Sequence, residues 1–302
     1  MAVRTDLALE LAEGRRVQQR TQTLEGFSLH TVTVTESDTD FGRPPGQYAT
    51  LSIRDLLRRE TDAFPRACRA VAQILCQLAP SNQDPRAPVL VIGLGNRAVT
   101  PDAIGPLCCQ NVLATRHLVE QSPEQFRAFR PVAVLAPGVL GTTGVEIGEL
   151  VLGVIDRIHP ELILAVDALA ARNVKRLGRT IQLTDTGITP GSGIGNHRNA
   201  INEQSLGLPV ISLGVPTVVN AATIVADAMS ELIEAEASSC QDLEKLDEQQ
   251  RQELAHGLLS PKLNELFVTP KNIDESIKQL SFLLSEGLNI ALLGNKEENA
   301  GI

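Results

Sequence analysis

Along this chain, short wholly apolar runs alternate with stretches whose apolar residues recur every three or four positions. The runs VLVIGLGN from Val89, VAVLAPGV from Val132, ELILAVDALAA from Glu161 and LPVISLGVP from Leu208 are continuous, and a glycine, proline or polar residue follows each. Strands that are apolar on both sides are buried on both faces, the habit of a parallel sheet covered by helices. Helical spacing predicts helices over about 55–78, 102–119, 145–158 and 218–236. TIQLTD, from Thr180, is more polar and reads as an edge or antiparallel strand. FSLHTVTVT, from Phe27, alternates apolar and polar residues, and YATLSI, from Tyr48, is a second short strand. Residues 237–257 are charged and poor in bulky apolar residues, which suits a solvated helix or a mobile excursion. The last amphipathic stretch places Thr269 as N-cap and Pro270 at the first helical position.

The fold class expected is therefore α/β, a mostly parallel sheet with helices on both faces and a small decorated N-terminal part. One domain is expected over 1–302. Within it, 1–87 supplies N-terminal strands and a helix, 88–236 the α/β core with the active cleft, and 237–302 C-terminal helices.

Composition narrows the function. With no Trp, one Tyr and seven Phe, the core must be aliphatic. Twenty-seven Lys+Arg against 36 Asp+Glu leave a formal charge of −9, which argues against direct nucleic-acid binding. No apolar run reaches the roughly 18–20 residues of a membrane helix. The start, MAVRTDLALE, has no secretory apolar region, so the sequence reads as soluble, intracellular and cytoplasmic. The five cysteines, Cys68, Cys76, Cys108, Cys109 and Cys240, form no CxxC pair and read as reduced structural thiols.

In open α/β sheets ligands bind beyond the carboxyl ends of the strands. Two carboxylates stand there. Asp102 follows the first buried strand in GNRAVTPDAIGP, with Thr100 as a cap and Pro101 ahead of it in the first helical turn. The helix dipole favours an acid at that place, typically by about 0.3–1 kcal/mol, and such an Asp is common without any catalysis. Asp167 is placed at the end of the third strand, with no Lys or Arg before Arg172. A carboxylate in so apolar a run must be hydrogen-bonded, paired or protonated. Two carboxylates at neighbouring strand ends push their pKa values apart, so that one ionised and one protonated group activate a water and protonate a leaving group.

Other signals are weaker. Asp185-Thr186-Gly187 copies the triplet of pepsin-like proteases, but a single copy in an α/β pattern reads as a turn. GSGIGN at 191–196 lacks the Lys-Ser/Thr of a phosphate loop and reads as a loop over the cleft, offering Gly191, Gly193 and Asn196 to a substrate. APGVLGTTGVEIGE adds Gly138, Gly141 and, in the first turn of a helix, Glu146. The five histidines are dispersed, and only His197 lies in a glycine-rich loop near the two aspartates.

Together VRTDLALE, VLVIGLGNRAVTPDAIGP, LAPGVLGTTGVEIGELV, LILAVDALAAR, DTGITPGSGIGN, LGVPTVVNAATI and FVTPKNID resemble the germination protease family of spore-forming bacteria, over nearly the whole chain. The resemblance implies an endopeptidase of unusual aspartic type that degrades small acid-soluble spore proteins in the spore core, on a phosphorylase/hydrolase-like fold. It implies that the family's two essential aspartates are Asp102 and Asp167, that no cofactor is used, and that the enzyme is a homotetramer made as a zymogen with a short N-terminal propeptide. Only Met1 and Ala2 precede VRTDLA, so the encoded chain is expected to be active without processing. Thr189 stands where the family pattern has His, and Asn220 where it has Asp. The competing reading is a metal-dependent peptidase of the hydrogenase-maturation type, with Asp102 and Asp167, and either His197 or Glu146, as ligands. A third is a binder that caps spore proteins without cutting them, against which the retention of both aspartates speaks.

Overall fold

The computed structural model describes residues 5–53, 62–81, 84, 86–192, 199–235, 250, 251, 254, 257 and 265–294. Among these, nine strands form one sheet: β1 (Gln18–Leu24), β2 (Phe27–Val34), β3 (Gly46–Ser52), β4 (Val89–Gly93), β5 (Val132–Leu135), β6 (Leu162–Ala171), β7 (Thr180–Thr184), β8 (Val210–Asn220) and β9 (Phe267–Val268). Their order is β1-β2-β3-β7-β8-β6-β4-β5, with β9 also paired to β8. The sheet is mixed, which corrects the expectation of a mostly parallel one. β8-β6-β4-β5 are parallel, whereas β1, β2, β3, β7 and β9 join through antiparallel ladders. β1 escaped the sequence reading because QQRTQTL has a single bulky apolar residue, Leu24; its ladder with the alternating β2 holds it in place. β7 is antiparallel as expected, but it lies inside the sheet, between β3 and β8.

Alternation along the strands divides the core. Val89 and Val91 of β4 and Leu164 and Val166 of β6 face α2 (Ala63–Leu78), α3 (Ile104–Cys109) and a long helix, Ile273–Leu293. Leu90, Ile92, Ile163 and Ala165 face the other way, against Ile147 and Val151 of the helix Ile147–Ile158. Taking the short helices α1 (Ala8–Leu11), α4 (Arg116–Gln121), α5 (Pro123–Phe126), α6 (Leu140–Thr143) and α8 (Glu203–Leu206) in order, these two are α10 and α7, and α9 is Ala221–Ala235.

Several boundaries differ from the pattern. The helix expected over 102–119 is broken: a 3₁₀ turn at Thr100–Asp102, then α3, then α4 only from Arg116. β8 runs to Asn220, so the helix expected from 218 starts at Ala221. Thr269 caps no helix; its hydroxyl donates to the Thr217 carbonyl (2.8 Å), and α10 begins at Ile273. The helical start expected at 55 lies outside the described residues, as does nearly all of 237–257.

Candidate active site

The chain runs from β4 to its neighbour β5 through α3 on one face, then crosses β4 through α7 on the other face to reach β6. The strand order therefore reverses between β4 and β6, the place where open α/β sheets form their ligand crevice. β4 stops at Gly93, opposite Val166, and β6 continues for five more residues. Asp167 is the first of these. It lies within β6, not at its end as expected, and it borders the crevice because the neighbouring strand has finished.

Asp102 arrives from the other strand. After β4, the Leu94 N–H donates to the Val166 carbonyl (2.8 Å), and the chain turns back through Gly95, at φ +110°. A Cβ on Gly95 would lie 2.0 Å from the Asp102 carbonyl oxygen, so only glycine allows this return. The Asn96 N–H then donates to Asp102 Oδ2 (2.7 Å), which fixes the carboxylate. Asp102 closes the 3₁₀ turn and precedes α3 rather than lying in its first turn, and Thr100 makes no side-chain cap. Gly105 seats α3 behind it, with the Leu94 and Val166 carbonyls at 2.3 and 2.5 Å from where its Cβ would be.

Asp102 and Asp167 line one cleft of about 360 Å³, walled by Val99, Pro101, Val139, Ile147, Val218 and Phe267. Asp167 is buried, and its Oδ1 accepts from the Ala168 N–H (2.9 Å). Two carboxyl groups in an apolar cleft, each held by a backbone amide, are an arrangement suited to general acid–base work on a polar bond.

The family model for germination protease matches residues 6–245 and 234–301. The chain belongs to the germination protease family. It is 42% identical to the germination protease of Caldanaerobacter subterraneus subsp. tengcongensis, over 99% of this chain and 98% of that one. Identity to the Clostridium perfringens protein is 40%, over 97% and 96%, and to the Bacillus cereus protein 34%, over 96% and 94%. As a member of the germination protease family the chain is a peptidase, a hydrolase of peptide bonds that acts in spore germination. No described helix is long and apolar enough to cross a membrane.

The remaining expected residues fall in different places. Gly191 lines the cleft. Gly138 faces a neighbouring hollow with Arg97 and Cys109, Gly141 is exposed in α6, and Glu146 is the N-cap of α7 rather than a first-turn residue; none of the three lines the cleft. Their neighbours Val139 and Ile147 do instead. Gly193, Asn196 and His197 lie outside the described residues. Among the described residues no three His, Cys, Asp or Glu side chains stand close enough to hold a metal ion. Asp185 follows β7, where its Oδ1 accepts from the Gln47 N–H (2.8 Å) and burial raises its pKa; it serves the turn. Asn220, where the family pattern has Asp, is buried, and its Oδ1 accepts from the Ala222 N–H (2.9 Å) at the start of α9. Burial pushes the Cys109 thiol up to about 12, as expected of a structural thiol.

Sequence reasoning missed the N-terminal segment. Asp6 lines the same cleft, pairing with β6 through its own N–H to Ala170 O (2.9 Å) and through Oδ2 from the Ala170 N–H (2.9 Å). Its Oδ1 accepts from Ser192 Oγ (2.6 Å) and meets the Arg43 guanidinium (3.4 Å). Leu7, fully buried, packs with Leu169, Ala171, Leu177 and Val219. Glu10 is buried behind it, accepting from the Arg172 N–H (2.7 Å), the Asn173 N–H (3.0 Å) and Thr5 Oγ1, with Arg176 Nε at 3.2 Å. The signal was present in VRTDLALE, but no periodicity ties a terminal segment to a strand more than 160 residues away.

Proposed function

We propose that this chain is the endopeptidase that degrades small acid-soluble spore proteins during germination, and that Asp102 and Asp167 perform the hydrolysis as a carboxylate pair sharing one proton. The observation that carries this reading is that both residues line one cleft at the β4/β6 strand reversal. The ionised member takes a proton from a water whose oxygen bonds to the peptide carbonyl carbon. The protonated member hydrogen-bonds the carbonyl oxygen as it gains negative charge. When the tetrahedral species collapses, the C–N bond breaks and a proton passes to the amide nitrogen, so one water is consumed and a carboxylic acid and an amine are released. The apolar walls exclude competing water and strengthen each of these hydrogen bonds.

By the same resemblance the enzyme works in the spore core as a homotetramer, with spore proteins as partners, and carries no cofactor. Gly191, which lines the cleft, borders the extended substrate. The test is incubation with a purified spore protein, with and without EDTA, followed by mass spectrometry of the fragments. Discrete cleavage that resists the chelator is expected. Activity lost on chelation and restored by a divalent ion would move Asp102 and Asp167 to the role of metal ligands.

A further inference from the structure

Thr217 sits on β8 beside the carboxylate cleft and lines it, with 2% of its surface exposed. Its hydroxyl is buried and has no hydrogen-bond partner among the described residues. Of the two buried hydroxyls in that condition, Thr50 belongs to β3 in the antiparallel part of the sheet, and Thr217 is the one at the cleft. A buried hydroxyl without a partner is destabilising, so its retention calls for an explanation.

The strand is irregular at the same point. In the parallel ladder Leu169 pairs with Pro216 and Ala170 with Val218, so Thr217 is skipped. Pro216 offers no N–H to that ladder, which is why a proline in an interior strand falls at an irregularity. The Thr217 carbonyl is turned outward to accept from the Thr269 hydroxyl (2.8 Å), an anchor supplied by the chain just after β9. Bulges beside active sites re-aim a side chain. Here the bulge lies two residue pairs beyond Asp167, whose own partner on β8 is Gly214.

We propose that the Thr217 hydroxyl is a further catalytic group of this peptidase, donating a hydrogen bond to the carbonyl oxygen of the scissile peptide as that oxygen becomes an oxyanion. The orphan donor is then satisfied only when substrate is bound and most fully in the transition state, which is the condition for raising kcat rather than only tightening binding. The inference rests on the cleft of Asp102 and Asp167 being the site of hydrolysis.

Thr217→Val keeps the shape and removes the hydroxyl. It is expected to fold with a Tm equal to or above that of the parent, because an unsatisfied polar group is gone. Its kcat should fall about 10²-fold with KM changed little, the size of effect typical for one oxyanion donor. Thr217→Ser, which restores the donor, should return activity to within a few-fold of the parent. Parental kcat in Thr217→Val would overturn the proposal, as would a kcat that falls only together with Tm and is not recovered in Thr217→Ser. Asp167→Asn, assayed alongside, separates the two readings: if it keeps full activity, the cleft itself is wrongly placed, whatever Thr217→Val does.

Discussion

The two halves of the sheet are built to different rules. In the parallel half, β4 has no exposed residue and β6 a single partly exposed one, Ala168, so every polar atom there stands out. In the antiparallel half, β1 is exposed or half-exposed along its length, and β2 alternates between buried and open positions. The first half brings Asp102, Asp167 and Thr217 to one cleft. The second carries no cleft carboxylate of its own among the described residues; Phe267 of β9 walls the cleft, and Arg43, in the loop before β3, holds Asp6. A burial-rich half makes a polar group costly and therefore selects it for chemistry, whereas a half-open sheet tolerates polar residues anywhere.

The comparison breaks most easily at the carboxylates. Asp102→Asn and Asp167→Asn are each expected to lower kcat by about 10³-fold or more, with cooperative unfolding kept, because paired catalytic groups fail as a unit. Steady-state cleavage assays with thermal melts check this. Full activity in either variant would remove the parallel half from the chemistry.

Packing gives the next largest effect. Gly105→Val drives a side chain into the Leu94 and Val166 carbonyls, at 2.3 and 2.5 Å from the first added atom. A loss of about 3 kcal/mol or more is expected, with activity falling as α3 lifts and the Asp102 turn loosens. In the antiparallel half, Gln22→Ala on exposed β1 should stay within about 0.5 kcal/mol. Urea titration of both variants measures the contrast; equal costs would erase it.

The junction between the halves is Glu10. Removing its side chain in Glu10→Ala leaves the Arg172 and Asn173 amides short of an acceptor, and a loss of about 2–3 kcal/mol is expected at neutral pH. Burial raises the Glu10 pKa above its ordinary 4.5, opposed by the Thr5 and backbone hydrogen bonds and by Arg176. The folded chain therefore holds this proton more tightly than the unfolded one. The stability margin of the parent over Glu10→Gln should be widest below pH 4.5 and should narrow as pH rises past it. Melting curves of the pair from pH 4 to 7 test the direction; a margin that widens with pH would contradict it.

Much of the parallel half was legible in the order of residues. Continuous apolar runs mark strands buried on both faces, and a lone Asp in ELILAVDALAA cannot be hidden among them. The motifs also carried the family. The antiparallel half was legible only in part, because β1 has a weak pattern and owes its place to partners on β2. Helix starts misled at 102 and 269, where a turn and a side-chain bond to a distant carbonyl displaced the local cap signal.

Residue order by itself determined which segments are apolar on both faces, where glycine permits a return of the chain, and which two carboxylates follow or occupy those strands. Tertiary structure alone decided that β6 outruns β4 and so opens Asp167 to a cleft. It also decided that Asp6 from the N-terminus pairs with Ala170, and that a skipped register on β8 leaves the Thr217 hydroxyl without a partner among the described residues. The physical reason is range. Periodicity and capping act over a few neighbouring residues, whereas strand registry, close approach and the satisfaction of buried polar groups are settled between segments that meet only when the sheet is complete.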